Sequence, residues 1–263
     1  MEKINIYGLD GKSKGLIEKS KIFSIRPRKD LIRKASKIYQ SKNKQVQGRD
    51  KRAGLRNTAE GWGTGHELSR APRLKGSGYP TARNVARVPF ARGGRSAHPI
   101  EIEKKIKKNM NKKAYKLSLL SAISASGDIK LIKGRGHIIE NIPEVPLVVD
   151  DKIQTIRKTE QIYKILCDLG LKEELIKIKK SKKIRSGKGK RRGRKYKRVR
   201  GVLFVIKDDF GILKASRNIL GLEIARIGDL SIEHLAPGGD PGRLIIWTQS
   251  AFSELTTKYG DLI

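Results

Sequence analysis

Cysteine is nearly absent: Cys167 stands alone among 263 residues. That excludes an internal disulfide and a thiolate-built zinc site, and it suits a reducing compartment. Long apolar runs are missing too. The longest stretch without a charged side chain, Leu117 to Gly127, has 11 residues, well short of the ~20 that a membrane-spanning helix needs. The opening MEKINIYG lacks the apolar segment of a secretory signal. Aromatic residues make up only 5% of the chain, and acidic ones are outnumbered, with 26 Asp+Glu against 60 Lys+Arg. The formal charge is +34 and the isoelectric point about 10.4. Charge of that size opposes compaction and attracts nucleic acid, which disfavours a cytosolic small-molecule enzyme and points to a polyanion partner. What is present in quantity is hydrophobic residue, 37%, enough to build one domain-sized core of roughly 100–200 residues.

The charge is unevenly placed. Residues 1–44 carry +9, 45–99 carry +8 and 100–113 carry +4, whereas 114–176 are neutral, 177–200 carry +15 and 201–263 carry −2. The two near-neutral blocks read as a folded core. PLVVD (146–150), VLFVI (202–206), LEIAR (222–226) and RLIIWT (243–248) are apolar strand patterns. Between and after them, 159–169, 230–235 and 250–259 have helical spacing, with Gly260 as a stop. Strands alternating with helices predict an α/β fold, a three-layer αβα domain around a mostly parallel sheet. Upstream, 29–41 and 100–126 read as helices, the second interrupted near Asn109 to Asn111, and Ile4 to Tyr7 before Asp10-Gly11 reads as a strand and turn. The expected organisation is a globular domain from 1–44 and 100–263, with a basic insertion at 177–200 and a long, extended, irregular loop at 45–99.

That loop has 9 Gly in 55 residues and no sustained period. Composition alone is equally compatible with a disordered insertion. Three features favour function. Nine of its 11 basic residues are arginine, at Arg49, Arg52, Arg56, Arg70, Arg73, Arg83, Arg87, Arg92 and Arg95; the adjoining predicted helix uses lysine throughout, at 104, 105, 107, 108, 112 and 113. A guanidinium fork bridges phosphate oxygens and stacks on bases, which a solvated helix face does not need. Trp62, Tyr79 and Phe90 are interleaved with the arginines, a combination suited to folded or single-stranded RNA. Glycines at 61, 63, 65, 76, 78, 93 and 94 let the backbone approach another chain closely. Ordering about 50 residues costs on the order of 1–2 kcal/mol each, so such a loop is expected to be mobile before it meets its partner. In 177–200, 15 of 24 residues are cationic and none acidic. A polycation anchored at both ends implies a phosphate partner and steep salt dependence; its expected contacts include Arg185 and Lys195.

Catalytic and cofactor patterns fail on spacing. GWGTG at 61–65 and GKGKRR at 187–192 match neither a dinucleotide loop nor a phosphate-binding loop. His66, His98, His137 and His234 have no metal-ligand spacing, and Cys167 reads as a core residue of a helix. Asp150-Asp151 could bind magnesium only with a partner that the sequence does not show. No catalytic residue, metal site or cofactor is expected. Two other readings stay open on residues alone: a chromatin-like DNA binder, and an rRNA-processing enzyme using His137 or Asp150-Asp151.

Four strings narrow the choice: EGWGTGHELSRAPRLKGSGYPTARNVARVPFARGGR (60–95), EVPLVVDDKI (144–153), IRSGKGKRRGRK (184–195) and LAPGGDPGRLIIWTQSAF (235–252). In this order they resemble the universal large-subunit ribosomal protein L-four family in its archaeal and eukaryotic form, over essentially the whole chain. The resemblance implies a cytoplasmic, non-enzymatic constituent of the large ribosomal subunit that binds 23S-type rRNA and supports early assembly. Its other implied neighbours are large-subunit proteins and the nascent peptide, with no membrane. A globular domain would lie on the subunit surface and an extension would thread into the rRNA, its tip lining the peptide exit tunnel. The tip falls in 75–83 and comprises Gly76, Ser77, Gly78, Tyr79 and Pro80, with Lys75 and Tyr79 also among the implied rRNA contacts. The implied rRNA contacts are the loop arginines from Arg70 onward with, in the basic insertion, Lys188, Lys190, Arg191, Arg192 and Arg194. The chain ends soon after WTQSAFSELTTKYG, without the long extension of eukaryotic members, which favours an archaeal source.

Overall fold

The computed structural model describes residues 2–259. Its strands, in chain order, are β1 (Lys3–Tyr7), β2 (Ser13–Glu18), β3 (Leu147–Val149), β4 (Lys183–Ile184), β5 (Tyr196–Lys197), β6 (Leu203–Ile206), β7 (Glu223–Arg226) and β8 (Ile245–Thr248). Strands β4 and β5 form a ribbon of their own, and the other six form one sheet in the order β2-β1-β3-β8-β6-β7. Only β1 and β2 pair antiparallel within that sheet; every other neighbour is parallel. The fold is therefore mixed α/β on a mostly parallel sheet, as the strand and helix alternation predicts.

Strands β3, β6 and β8 are buried along their whole length, which explains why they read as unbroken apolar runs: both faces are covered. Alternate residues divide between two cores. Val148, Leu203, Val205, Ile245 and Trp247 belong to one, and Leu147, Val149, Phe204, Ile206 and Ile246 to the other. The first core takes its helical side chains from α1 (Lys29–Lys42), α2 (Lys112–Ala125), α7 (Ile232–Leu235) and α8 (Gln249–Tyr259). The second takes them from α3 (Ile129–Arg135), α4 (Thr159–Leu166), α5 (Lys172–Lys180) and α6 (Ile212–Ser216). The outermost strand, β2, alternates exposed and half-buried residues and carries Lys14 and Glu18, charges that blunt an open sheet edge.

Several local expectations change. The helix predicted over 100–126 begins only at Lys112. Residues 100–111 are irregular because Ile100 and Ile102 are 54% and 70% exposed and have no helical face to bury. The chain instead returns on 48–49, where Arg49 N–H donates to the Ile100 carbonyl at 2.9 Å and the Gly48 backbone abuts Ile102. Helix α3, absent from the sequence reading, is signalled by a cap at each end: the Asp128 carboxylate accepts from Lys130 N–H at 2.9 Å, and Gly136 is left-handed at φ 93°. Helix α5 occupies the start of the block expected to be a basic insertion, so the polycation proper begins after Lys180. Cys167 is half-buried at the start of a wide turn after α4, not a core residue. The stop expected at Gly260 lies outside the described residues.

Residues 42–108 form a unit separate from the sheet domain, and among the described residues they contain no helix or strand beyond the end of α1. Their order comes from bridges: Glu60 pairs antiparallel with Arg73, and Arg73 with Val85.

Candidate nucleic-acid interface

In the 42–108 unit three passes of chain lie side by side. Glu60 and Arg73 exchange two backbone hydrogen bonds of 3.0 Å, and Leu74 N–H donates to the Asn84 carbonyl at 3.0 Å while Arg83 N–H returns to Leu74 at 3.1 Å. Only Ala59 and Ala86 are buried hydrophobic residues here, so polar and cationic groups do the packing. Arg73 is half-buried, its guanidinium 5.6 Å from the Trp62 ring centre, and it donates to the Arg83 carbonyl at 3.1 Å. Arg87, also half-buried, donates to Asn57 Oδ1 at 3.0 Å and to the Asn57 carbonyl at 2.6 Å. Arg56 pairs with Asp50 at 2.6 Å and Lys75 with Glu60.

Of the candidate contacts, Arg73 and Arg87 thus brace the unit, and Arg49, Arg52, Arg70, Arg83, Arg92 and Arg95 are exposed. Trp62 is half-buried, its ring lying against Arg73 and His66. Between the second and third passes, 75–82 form a tight turn: the Tyr79 hydroxyl donates to the Lys75 carbonyl, and Ala82 N–H to the Tyr79 carbonyl at 3.0 Å. Gly76, Ser77, Gly78, Tyr79 and Pro80 are all exposed on it.

The second cationic element is a β-ribbon. Strands β4 and β5 pair antiparallel, Arg185 N–H donates to the Lys195 carbonyl at 2.8 Å, and Arg185 Nε to the Arg194 carbonyl at 3.2 Å. A 3₁₀ turn, Lys188–Arg192, closes it between Gly187 and Gly193, both at φ 76°, where L side chains are strained. Lys182 and Lys195 sit 4.6 and 5.6 Å from the Tyr196 ring centre. Lys188, Lys190, Arg191, Arg192, Arg194 and Lys195 are exposed, while Arg185 is half-buried within the ribbon.

Where the chain leaves the ribbon and enters the sheet domain, it is held by a residue that sequence reasoning missed. The Arg243 side chain is fully buried; Nε donates to the Gly201 carbonyl at 2.8 Å, and one terminal nitrogen to Glu223 at 2.8 Å and to the His234 carbonyl at 2.7 Å. Arg200, at the ribbon's return, pairs with Glu223 and Glu233 at 3.7 Å each. Burial raises the Glu223 pKa, but Arg243 and Arg200 together hold it below its ordinary value. Burial, against the opposing pull of Glu223, lowers that of His234. The available signal was an arginine opening the apolar string RLIIWT, a position where only a paired cation survives burial.

The residues considered for catalysis have structural employment. His137 Nδ1 is 2.7 Å from Glu174 Oε1, and Glu174 also accepts from Ile138 N–H at 3.0 Å. Although burial raises its pKa, these bonds and Lys177 hold Glu174 below its ordinary value. Asp151 accepts from Ser250 N–H at 3.0 Å, capping α8, and Asp150 pairs with Lys14. His234 closes a capping box with Ser231 at the start of α7. Among the described residues, no three His, Cys, Asp or Glu side chains are grouped to hold a metal, and no helix is long and apolar enough to cross a membrane.

The structure also gathers cations that charge counting could not localise. Lys29 and Arg33 of α1, Lys130 of α3, Lys177 of α5 and Lys197 and Arg198 of the ribbon line one cleft of about 950 Å³ in the sheet domain.

An α/β platform bearing acid-poor cationic elements, its polar residues committed to caps and braces, has the build of a ribonucleoprotein scaffold component. The chain belongs to the Ribosomal protein L4/L1 family, whose family model matches residues 17–258. It is 38% identical over 256 residues to the large ribosomal subunit protein uL4 of Methanopyrus kandleri, covering 97% of this chain and 98% of that one. It is 40% identical over 262 residues to uL4 of Methanosphaera stadtmanae, covering 100% and 98%. To uL4A of Schizosaccharomyces pombe it is 40% identical over 261 residues, 98% of this chain but 71% of the yeast protein. The family is ribosomal and non-enzymatic, so the protein is a structural component of the cytoplasmic translation machinery.

Proposed function

We propose that the protein is a constituent of the large ribosomal subunit that binds 23S-type rRNA through two cationic elements held by an α/β platform. The arginine-rich segment 45–99 is the longer element, an extended loop in the assembled particle, and the ribbon after Lys180 the shorter. The observation that carries this reading is the ribbon: ten exposed cations and no acid from Lys182 to Arg198, its return strand leading into Gly201, whose carbonyl Arg243 holds. A fixed polycation at neutral pH is stabilised by a phosphate backbone, chiefly through counterion release. Exposed loop arginines add bidentate phosphate and stacking contacts. The family supplies the large subunit as the place, with neighbouring large-subunit proteins as further partners. The turn Gly76–Pro80, small except for Tyr79, is proposed to contribute to the wall of the peptide exit tunnel.

Binding of the full chain to a large-subunit rRNA transcript across a salt series tests the first part. Replacing Lys188, Lys190, Arg191, Arg192 and Arg194 together with Gln should lower the slope of log affinity against log salt by about 3–5. An unchanged slope, or equal affinity of the native chain for duplex DNA at elevated salt, would refute rRNA recognition by the ribbon. A photo-reactive side chain placed at Tyr79 should cross-link nascent chains on translating ribosomes; cross-links to rRNA alone would remove the tunnel role.

A further inference from the structure

The cleft between α1, α3, α5 and the ribbon shares Lys197 and Arg198 with the shorter element just described, and its other walls lie on the sheet domain. Eight of its lining residues are cationic and three acidic. Each acid already has a cation: Glu174 has Lys177 at 3.4 Å, Glu233 has Arg200 at 3.7 Å, and Asp240 has Arg33 at 3.2 Å. Two of the eight cations are also committed elsewhere, Arg200 to its carboxylates and half-buried Arg135 to the carbonyls of Pro237 and Asp240. Lys29, Lys130, Lys197 and Arg198 are left exposed with no acidic partner among the described residues. They sit on three separate elements around one opening.

The lining does not suit a small organic ligand, whose sites are mostly apolar and aromatic; the only ring-bearing side chains besides proline are those of His137, which is held by Glu174. Gly134, Gly136 and Gly238 line the cleft with nothing within 4 Å of where a Cβ would stand. Part of its surface is therefore bare backbone with open space before it, which a second backbone can approach closely. One wall, Lys197 to Arg200, continues the return strand of the ribbon.

We propose that this cleft is a third RNA-contact surface, taking a phosphodiester backbone segment that continues from the strand engaged by the ribbon. The inference rests on the reading of the chain as an rRNA binder and adds to it a surface on the sheet domain itself. Lys29, Arg33 and Lys130 approach phosphate oxygens from the helical side, and Lys197 and Arg198 from the ribbon side. The contact is electrostatic and positional, since lysine at a phosphate carries no base information.

The experiment uses the full chain and an in vitro transcript of large-subunit rRNA over a salt series. The variant Lys29→Gln/Arg33→Gln/Lys130→Gln is compared with Lys152→Gln/Lys164→Gln/Lys172→Gln, which removes three exposed lysines from elements of the second core. The cleft variant should lose about ten-fold or more in affinity at moderate salt and about 2–3 from the log–log slope, while the control stays near the native chain. Equal losses in both would mean diffuse charge attraction and overturn the proposal. So would native-like RNA binding by the cleft variant, including the case where it fails to retain a neighbouring subunit protein, which would make the cleft a protein contact. If the triple variant is unfolded by melting, Lys130→Gln alone should still lower the slope by about one. The underlying rRNA reading fails differently: the native chain itself would then show no preference for the transcript over duplex DNA.

Discussion

Arginine does opposite work in the two units of this protein. In the sheet domain the core is apolar, with Phe204, Trp247 and Phe252 each no more than 1% exposed, and the buried Arg243 is a fastening within it. In residues 42–108 the buried apolar residues are two alanines, Phe90 is 81% exposed, and Arg73 and Arg87 supply the packing. A hydrophobic core closes without a partner. A unit braced by guanidiniums on carbonyls and one indole gains little from burial and keeps a net positive charge that opposes its own closure. The comparison teaches where stability resides: the platform carries its own, whereas the arginine-rich unit has almost no apolar core to supply it.

Hydrogen exchange on the free protein is the most demanding test of that contrast. Amides of β3, β6 and β8 should exchange only through global opening, governed by the full stability of about 5–15 kcal/mol, whereas those of 42–108 should exchange at least about a thousand-fold faster. Addition of the rRNA transcript should slow the second set selectively. Equal protection of both in the free state would break the comparison. Next in size, Phe204→Ala should destabilise the domain by about 3–5 kcal/mol in denaturant unfolding, while Phe90→Ala should fall within about 0.5 kcal/mol of the native chain. Arg243→Leu, which leaves Glu223 only its longer pairing with Arg200 and frees the Gly201 and His234 carbonyls, should cost about 3 kcal/mol. Arg73→Leu should leave the melting temperature of the sheet domain unchanged and speed exchange around Glu60 and Val85.

The same contrast explains what could be read before any coordinates. Strands VLFVI and RLIIWT were legible because burial on both faces leaves one residue class possible at each position. The charge blocks were legible because cations cannot hide. Helix α3 was not, since IKLIKGR has one buried residue, Ile132, and is set by its caps rather than by a period. Of the helix expected over 100–126, the part before Lys112 is absent because lysines at helical spacing describe a solvated face equally well when there is no buried face behind it. Arg73 and Arg87 brace their unit while the neighbouring arginines are exposed, a difference that composition cannot show. The cleft depends on residues from α1, α3 and the ribbon about 160 positions apart, and nothing in a linear charge count brings them together.

Acid should weaken the sheet domain through its paired carboxylates and His234. Glu174 and Glu223 have depressed pKa values in the fold, so the unfolded chain binds more protons there, and their contribution is present above the ordinary carboxylate range and lost as pH falls through the depressed values. His234 is also depressed, so its effect has the same sign: stability is retained above the ordinary histidine pKa and lost below it. The melting temperature of the sheet domain should therefore fall progressively as pH drops below about 6.5, most steeply in the carboxylate range. Glu223→Gln should flatten the carboxylate part of that curve at the cost of a lower plateau. A curve that rises with acid would contradict the pairing of Arg243 with Glu223.

The smallest expected effect lies where the two modes of stabilisation meet, on the ribbon. Tyr196 is half-exposed and flanked by Lys182 and Lys195, so its ring offsets some of the repulsion between two cations, a contact worth about 0.5–1 kcal/mol at an exposed site. Tyr196→Leu keeps the apolar bulk and removes the ring quadrupole. It should leave the stability of the sheet domain within about 0.5 kcal/mol of native and loosen the ribbon, seen as faster exchange at Arg185 and Lys197. Bound to the rRNA transcript, the same substitution should have less effect on that exchange, because phosphates would then screen the lysines that the ring had been separating. An effect equally large in the complex would mean that the ring, rather than RNA, orders the ribbon.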